Sequence, residues 1–401
     1  MNPADREIAG ASNRYETPAL LTQHLVASSP MPSVGRIVAG EGAEFVTQQP
    51  ATGLEPLGER TKVNLESIPN LDLMRTCAVL FVLGFHLLLY FQITVPGPLN
   101  FHALGQWGVL MFFVHTSFVL ALSLERQAEG GLGRQLFRPF IIRRLFRILP
   151  LSLFVICSVE LCRLPVGHLR NGQFLAVPLH WPGLLANLFL VQNLTHGESA
   201  TAPLWSLPYE MQMYFLLPAL FLFVRGHRTV LPLLGLWLVA FYALRHMPAL
   251  ARYGVPDLIA YVPCFLPGFI AYKFMAGARI RLPAIVWPLA LAGITIFYLQ
   301  SPSDLRGAIG CLLLGFAIPH VAQVSQAGVV KGSQLVARYS YGIYLTHFIA
   351  LWLAFQAFRG LPSFGQWIAF ALLICAIPLV LYHALEAPMI QWGRCLALKL
   401  G

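Results

Sequence analysis

Long continuous apolar runs are the feature of this sequence that most constrains its fold. They lie at about residues 71–92, 104–124, 142–162, 204–224, 229–247, 256–275, 282–300, 306–324, 339–358 and 366–385. Each is close to the ~20 residues that a helix needs to cross a bilayer. Charged residues make up only 11% of the chain, against roughly 25% in soluble domains, which excludes a soluble globular enzyme. We predict an all-α, polytopic transmembrane helical bundle of about ten helices.

The distribution of basic residues predicts the orientation of this bundle. With the N-terminus inside, the cytoplasmic segments hold 15 basic residues and the outer segments hold six. Because cytoplasmic loops are enriched in Lys and Arg, we expect both termini in the cytoplasm. Segment 183–194 is too short to span, and is either a re-entrant or interfacial piece or an eleventh helix. An eleventh span would reverse every later loop and break the charge pattern.

Composition divides the chain into three parts. Residues 1–68 lack apolar periodicity and carry five basic against eight acidic residues, which predicts a disordered cytoplasmic extension rather than a signal peptide. Residues 69–390 form the predicted transmembrane domain, and residues 391–401 a short cytoplasmic tail. The remaining net charge is +13, and we assign it to the positive-inside rule and expect no nucleic-acid partner. The seven cysteines form no CxxC pair, and we expect no metal site.

The first apolar run carries an acidic side chain, a basic side chain and a histidine. Asp72 and Arg75 lie at its predicted cytoplasmic end, and His86 follows Arg75 by about 16 Å along a helix. Titratable groups inside a membrane are costly and usually functional, although a single buried histidine is commonly structural. An ordinary pKa near neutrality makes His86 a candidate general base.

A cluster of arginines follows the second run. In FRPFIIRRLFRILP, Arg143, Arg144 and Arg147 share one helical face. They form either a positive-inside anchor or a cradle for phosphate, because the planar guanidinium binds phosphate in a bidentate manner. Near the end of the last run, Glu386 is expected to be a structural partner of an arginine.

Two later runs add polar side chains. Ser206 and Glu210 are i, i+4 neighbours beside Trp205 in APLWSLPYEMQMY, and Glu210 either pairs with a buried cation or has a functional role. Tyr344 and His347 lie at near-helical spacing in ARYSYGIYLTH. These positions extend the set of polar groups expected inside the bundle.

Together, these segments resemble the acyltransferase-3 family of membrane O-acyltransferases. Arg75 and His86 match its R-x10-H motif, and RRLFRILP matches its RxxR-x-x-P segment. LWSLPYEMQMYFLLP matches its WSLxxE-x-x-FYL-x-P segment, and YSYGIYLTH and YHALEAP match its last two blocks. GVLMFFVHTSF is similar to its G-x-FFVLSGF segment but has His115-Thr-Ser in place of Leu-Ser-Gly. The resemblance covers residues from about 68 to 390. Because this chain departs from the family pattern at His115, we expect the shape of the pocket to differ there.

The resemblance implies an acyl-CoA-dependent O-acyltransferase in the bacterial inner membrane. Acyl-CoA, most simply acetyl-CoA, would be a co-substrate rather than a bound cofactor. The acceptor would be a hydroxyl of a surface polysaccharide or a lipid-linked sugar, with a macrolide or other secondary metabolite as the alternative.

The resemblance also implies roles for individual residues. His86 would act as a general base or carry the acyl group transiently, and Glu210 would orient His86 or bind the sugar. The residues expected to bind the CoA phosphates are Arg75, Arg143, Arg144 and Arg147. Those expected to support substrate binding are Asp72, His115, Trp205, Ser206, Tyr344 and His347.

Two other functional classes remain open at the level of the sequence. In a transporter of a glycolipid or small solute, the intramembrane His and Glu would form a proton relay, but no inverted repeat is evident. A structural assembly subunit would not gather these residues around one cavity. An acyltransferase predicts a tunnel from the arginines to His86, whereas a transporter predicts a central site open alternately to either side. Because no hydrolase-like domain follows the last run, we expect transfer to be completed in the membrane unit or with a partner.

Overall fold

The computed structural model describes residues 68–129, 136–227, 229–246, 257–275, 277 and 281–399. The predicted extension 1–68 lies outside these residues, apart from Ile68. The helices of the described chain are α1 (Pro69–Tyr90), α2 (Leu104–Glu129), α3 (Phe137–Leu161), α4 (Trp181–Leu188), α5 (Leu207–Gly226), α6 (Leu231–Arg245), α7 (Leu258–Met275), α8 (Val286–Leu299), α9 (Asp304–His320), α10 (Ala327–Trp352), α11 (Ser363–Leu381) and α12 (Ala387–Lys399). The mostly helical architecture agrees with the predicted class.

Several helices have the length and composition of membrane spans. Within the described ranges, five segments qualify, and they are Pro69–Tyr90, Phe101–Glu129, Ala202–Gly226, Leu258–Met275 and Ser363–Lys399. The apolar helices α6 and α8 have 15 and 14 residues, fewer than the ~20 that a straight crossing needs. Helix α3 has 25 residues but carries the arginine cluster. The chain is therefore a membrane protein by composition, and the number of ten spans stays a prediction.

The outer face of helix α11 is strongly apolar. Phe364, Leu372 and Val380 are each more than half exposed. A soluble protein rarely exposes such a continuous apolar face. This surface is therefore suited to contact with lipid.

The segment between α3 and α5 folds as a compact connection. It contains the antiparallel pair β1 (His168–Arg170) and β2 (Gln173–Leu175), and then α4. With eight residues, α4 is only about 12 Å long, so it is too short to cross a bilayer. The buried amide of Asn187 organises the end of this connection, because its Oδ1 accepts from Ala200 N at 2.9 Å and its Nδ2 donates to Glu198 O at 2.9 Å.

Helix α1 is held at its N-terminal end by the buried Asn70. Its Nδ2 donates to Ala322 O at 3.1 Å, and its Oδ1 accepts from Val324 N at 2.9 Å. Its carbonyl oxygen accepts from Trp287 Nε1 at 2.9 Å. These bonds fix the first turns of α1, which carry Asp72 and Arg75.

Helices α2 and α7 approach closely at Gly268. A Cβ atom at this position would collide with Ser117 Oγ, Phe118 N and Val114 O. Ser117 Oγ itself donates to its own helix, with Phe113 O at 2.9 Å and Val114 O at 3.0 Å as acceptors. The similar family segment, G-x-FFVLSGF, has a glycine at the position of Ser117 on α2. In this chain the glycine at the close approach is Gly268 on α7.

A tryptophan compensates for a proline inside α7. Pro267 has no N–H, which leaves the carbonyl of Pro263, four residues earlier, without its helical donor. Trp237 Nε1 on α6 donates to that carbonyl at 2.9 Å. An otherwise unsatisfied carbonyl in an apolar environment is thereby paired.

A π-helical turn, Tyr382–Glu386, joins α11 to α12. Helix α12 includes residues 391–399 of the predicted tail and packs against α3, where Gly393 lies next to Phe146. This arrangement brings the C-terminal helix beside the arginine cluster.

Candidate active site

A cavity of about 620 Å³ lies among α1, α2, α3, α5, α10 and α12. We call it the arginine cavity. Its cationic lining residues are Arg75, Arg143, Arg144, Arg147 and Arg394. Glu210 is the one carboxylate among the described lining residues, so the cavity has an excess of positive charge and attracts anions.

Single N–H groups of three guanidiniums in the arginine cavity lack hydrogen-bond partners among the described residues. Arg75 Nε, Arg143 Nη2 and Arg144 Nε are buried without a hydrogen-bond partner in the described chain, where no arginine of this cavity forms an ion pair either. The hydrogen bond of Arg144 within the described part of the chain runs from Nη2 to Ser123 Oγ, at 3.3 Å. Because buried donors are normally paired, these atoms are free to bind an anionic ligand.

The carboxylate of Glu210 is held by two hydroxyl groups. Tyr214 Oη donates to Glu210 Oε1 at 2.5 Å, and Thr116 Oγ1 donates to the same oxygen at 3.4 Å. Glu210 is thus fixed at the wall of the arginine cavity. Glu386 is 1% exposed, and both of its oxygens lack a hydrogen-bond partner among the described residues. It interacts electrostatically with Arg147 without forming a salt bridge.

A second cavity, of about 430 Å³, lies toward the C-terminal end of α1. We call it the histidine cavity. Its polar and aromatic lining residues include His86, His102, Gln106, His168 and Trp205. It is less charged than the arginine cavity, because its described lining contains no Asp, Glu, Lys or Arg.

His86 is oriented by a second histidine on α10. His347 Nδ1 lies 2.7 Å from Tyr344 O, and because a carbonyl only accepts, this nitrogen must carry the proton. In neutral His347, Nε2 is then an acceptor. His347 Nε2 lies 3.1 Å from His86 Nδ1, which is also 2.8 Å from Val82 O. His86 Nδ1 therefore donates to both, and its Nε2 keeps a free lone pair.

The two cavities meet at a partition. Val109 and Tyr344 line both cavities, and every other lining residue belongs to one of them only. The hydroxyl groups of Tyr344 and Ser206 are hydrogen bonded at 2.8 Å. The sequence predicts a single tunnel. The structure instead has two cavities, and the side chains of Val109 and Tyr344 lie between them.

The structure separates the predicted site residues into groups. The predicted residues that line the arginine cavity are Arg75, His115, Arg143, Arg144, Arg147, Ser206, Glu210 and Tyr344. His86 and Trp205 line the histidine cavity. His347 lines neither cavity but contacts His86 through the ring nitrogens. Asp72 also lines neither cavity.

One expected contact is corrected. Glu210 does not orient His86, because the hydrogen bonds of its carboxylate go to Tyr214 and Thr116 in the other cavity. The side chain that contacts the His86 ring nitrogen is His347.

Sequence reasoning overlooked several lining residues. Arg394 is one of the 15 basic residues of the predicted cytoplasmic segments and belongs to none of the motifs. Both Arg394 and Gln391 line the arginine cavity. His102 and Gln106 precede or begin α2, outside the motifs, yet they line the histidine cavity. Val109 is an apolar residue in an apolar run, so no pattern in the sequence distinguishes it.

Comparisons with known proteins agree with the family resemblance that the motifs carry. The chain is 24% identical to the peptidoglycan O-acetyltransferase OatA of Listeria monocytogenes, over 72% of this chain and 50% of that protein. The chain thus spans about half the length of this curated relative. No solved structure matches the chain significantly. The acyltransferase domain that defines the acyltransferase-3 family matches residues 68–383, and the chain therefore belongs to this family of membrane O-acyltransferases.

Proposed function

We propose that this protein transfers an acyl group, most simply acetyl, from acyl-CoA to a hydroxyl group of a carbohydrate. The observation that carries the proposal is the pair of cavities that share Val109 and Tyr344. One is lined by arginines with unpaired buried N–H groups, and the other is lined by His86. The donor would occupy the first cavity and the acceptor the second.

The arginine cavity supplies the groups that CoA needs. CoA carries phosphates, and Arg75, Arg143 and Arg144 each have a buried N–H without a protein partner. Guanidinium groups bind phosphate with charge-assisted hydrogen bonds. The pantetheine arm would extend from these arginines toward Tyr344, which places the thioester at the partition.

His86 would act as the general base. Its Nε2 takes the proton of the acceptor hydroxyl while the hydroxyl oxygen attacks the thioester carbonyl carbon. The C–S bond then breaks, and the leaving CoA sulfur takes the proton back from His86. His347 Nε2 accepts from His86 Nδ1 throughout, which stabilises the protonated ring.

The relative and the histidine cavity both support a glycan hydroxyl as the acceptor. The Listeria relative is a peptidoglycan O-acetyltransferase by name, and we extend a glycan hydroxyl to this chain as part of the proposal. Trp205 offers an aromatic face, while His102 and Gln106 offer hydrogen-bonding groups. Such a combination suits a sugar ring.

The proposal is tested with the full chain in proteoliposomes. The probes are acetyl-CoA and tri-N-acetylchitotriose, and the readouts are free CoA thiol and acetylated sugar by mass spectrometry. His86→Ala is expected to lower the rate by about 100-fold or more, because general bases contribute roughly 10²–10⁴-fold. Arg144→Gln is expected to raise KM for acetyl-CoA by about tenfold or more, since a hydrogen bond to a charged group contributes about 1.5–3 kcal/mol.

Arg138→Gln is the matched control for the arginine variant. Arg138 lies on the same helix, but it is exposed and outside the arginine cavity, so KM should be unchanged. Wild-type protein that neither releases thiol nor binds acetyl-CoA would contradict the proposal and favour a transporter. Full activity of a folded His86→Ala variant would contradict the assignment of the base.

A further inference from the structure

The two side chains that line both cavities, Val109 and Tyr344, are tightly packed. Val109 on α2 is 4% exposed and Tyr344 on α10 is 6% exposed. The Tyr344 ring is fixed at its hydroxyl by Ser206, at 2.8 Å, and it meets the edge of Phe112 with ring centroids 6.0 Å apart. Val109 is β-branched, so its side chain has few rotamers to adopt. Neither side chain has room to move aside without disturbing its neighbours.

The position of this partition relates it to the acyl group. In the proposed reaction, the CoA phosphates are bound on the arginine side and the base His86 lies on the histidine side. The acyl carbon must therefore come to the partition to be attacked, and any further carbons of the acyl chain must fit between Val109 and Tyr344 or beyond them.

We propose that Val109 and Tyr344 determine the length of the acyl group that this protein transfers, and that they restrict it to short chains. The inference rests on the proposed function. An acetyl group adds a single methyl to the carbonyl, whereas each additional methylene must displace a packed side chain. Steric discrimination of one methylene in an apolar pocket is on the order of tenfold or more.

The test compares acetyl-, propionyl- and butyryl-CoA in the proteoliposome assay with tri-N-acetylchitotriose. Wild-type rates should fall by about tenfold with each added methylene. Val109→Ala opens the partition and should raise the butyryl-to-acetyl rate ratio by about tenfold or more. Val109→Leu fills the partition and should lower the propionyl-to-acetyl ratio, which tests the same point with a variant that leaves no hole.

Val119→Ala is the matched control. Val119 is the same residue type on the same helix, about 15 Å from Val109 along the axis, and it lines the arginine cavity alone. Its chain-length preference should equal that of the wild type.

The outcomes separate this inference from the proposed function. Wild-type protein that releases no thiol from any thioester would contradict both. Activity with acetyl-CoA combined with an unchanged ratio in both Val109 variants would contradict only the role of the partition. A change of ratio in Val119→Ala equal to that in Val109→Ala would contradict it as well, because the selection would then not be located at the partition.

Discussion

The pair His86 and His347 defines the chemistry at the scale of single residues. Two backbone carbonyls, of Val82 and Tyr344, require a proton on Nδ1 of each ring. The contact between the rings then has one donor, His86 Nδ1, and one acceptor, His347 Nε2. We therefore expect His347 to be a positioning residue that holds His86 in the tautomer with a free Nε2, and not a group that touches the substrate.

Replacing His347 tests this role. His347→Ala should lower kcat by about tenfold or more, because a lost hydrogen bond to a charged ring costs about 1.5–3 kcal/mol. KM for acetyl-CoA should stay near its wild-type value, since His347 lines neither cavity. His347→Gln keeps an acceptor oxygen near the position of Nε2 and should recover part of kcat. An unchanged kcat in His347→Ala, or a change confined to KM, would show that His347 has no positioning role.

The sequence predicted which charged and polar side chains line the cavities better than it predicted their contacts. Arg144 and Glu210 stand out because charges are rare in apolar runs. Their distance from His86 depends on how six helices pack, which no local pattern encodes. One of the two roles expected for Glu210, orienting His86, is therefore not what the structure shows, and binding of the sugar stays a prediction. Val109 was not identifiable, because a valine inside an apolar helix looks the same at a partition as in any other buried position.

At the scale of elements, the contact between α2 and α7 holds α2, the helix whose side chains line both cavities. Helix α2 carries Val109, His115 and Thr116, and it approaches α7 at Gly268, whose backbone lies against Ser117 and Phe118. The colliding atoms include backbone nitrogen and oxygen, which cannot turn away as a flexible side chain can. A larger residue at 268 must therefore push the two helices apart.

Gly268→Ala is expected to destabilise the protein in detergent by about 1–3 kcal/mol, the usual range for overpacking. The measurement is the midpoint of thermal unfolding, and loss of activity should follow the loss of folded protein. Gly293→Ala on α8 is the control, because nothing lies within 4 Å of a Cβ atom there and alanine favours a helix over glycine. Equal midpoints for the two variants would mean that α2 and α7 are not in close contact at Gly268.

The apolar runs of the sequence predicted where most helices lie. They did not predict the short strands or the π-helical turn. The runs 104–124 and 142–162 correspond to Leu104–Glu129 and Phe137–Leu161. The three-residue strands at 168–175 are too short for a period to be visible. The π-helical turn Tyr382–Glu386 was also not predicted, because one widened turn leaves the apolar run unbroken.

At the scale of the whole molecule, the two cavities give the bundle two chemically different ends. The arginine cavity lies near the start of α3, and the histidine cavity includes His168, seven residues beyond the end of α3. The proposed function requires the arginine end to face the cytoplasm, where acyl-CoA is made, and this is the orientation that the positive-inside rule predicts. Charge distribution and substrate supply thus lead to the same topology, and Arg143, Arg144, Arg147 and Arg394 contribute to both arguments.

Two native cysteines can report this orientation. Cys395 is exposed on α12 next to Arg394 of the arginine cavity, and Cys162 is exposed just after α3, about 22 Å beyond Arg147 along the helix axis. A membrane-impermeant maleimide applied to intact cells should label Cys162 and leave Cys395 unmodified. Inverted membrane vesicles should give the opposite pattern, with the labelled peptides identified by mass spectrometry.

Cys162→Ser and Cys395→Ser are the controls for this assignment. Cys162→Ser should remove the labelled peptide from intact cells, and Cys395→Ser should remove the labelled peptide from inverted vesicles. The exposed Cys157 and Cys375 lie inside apolar helices, and we expect them to react slowly because a membrane-impermeant reagent does not enter the hydrocarbon region. Labelling of Cys395 from outside intact cells would place the arginine cavity on the side without acyl-CoA. That result would overturn both the predicted topology and the cytoplasmic donor, even if the protein hydrolysed acetyl-CoA in detergent.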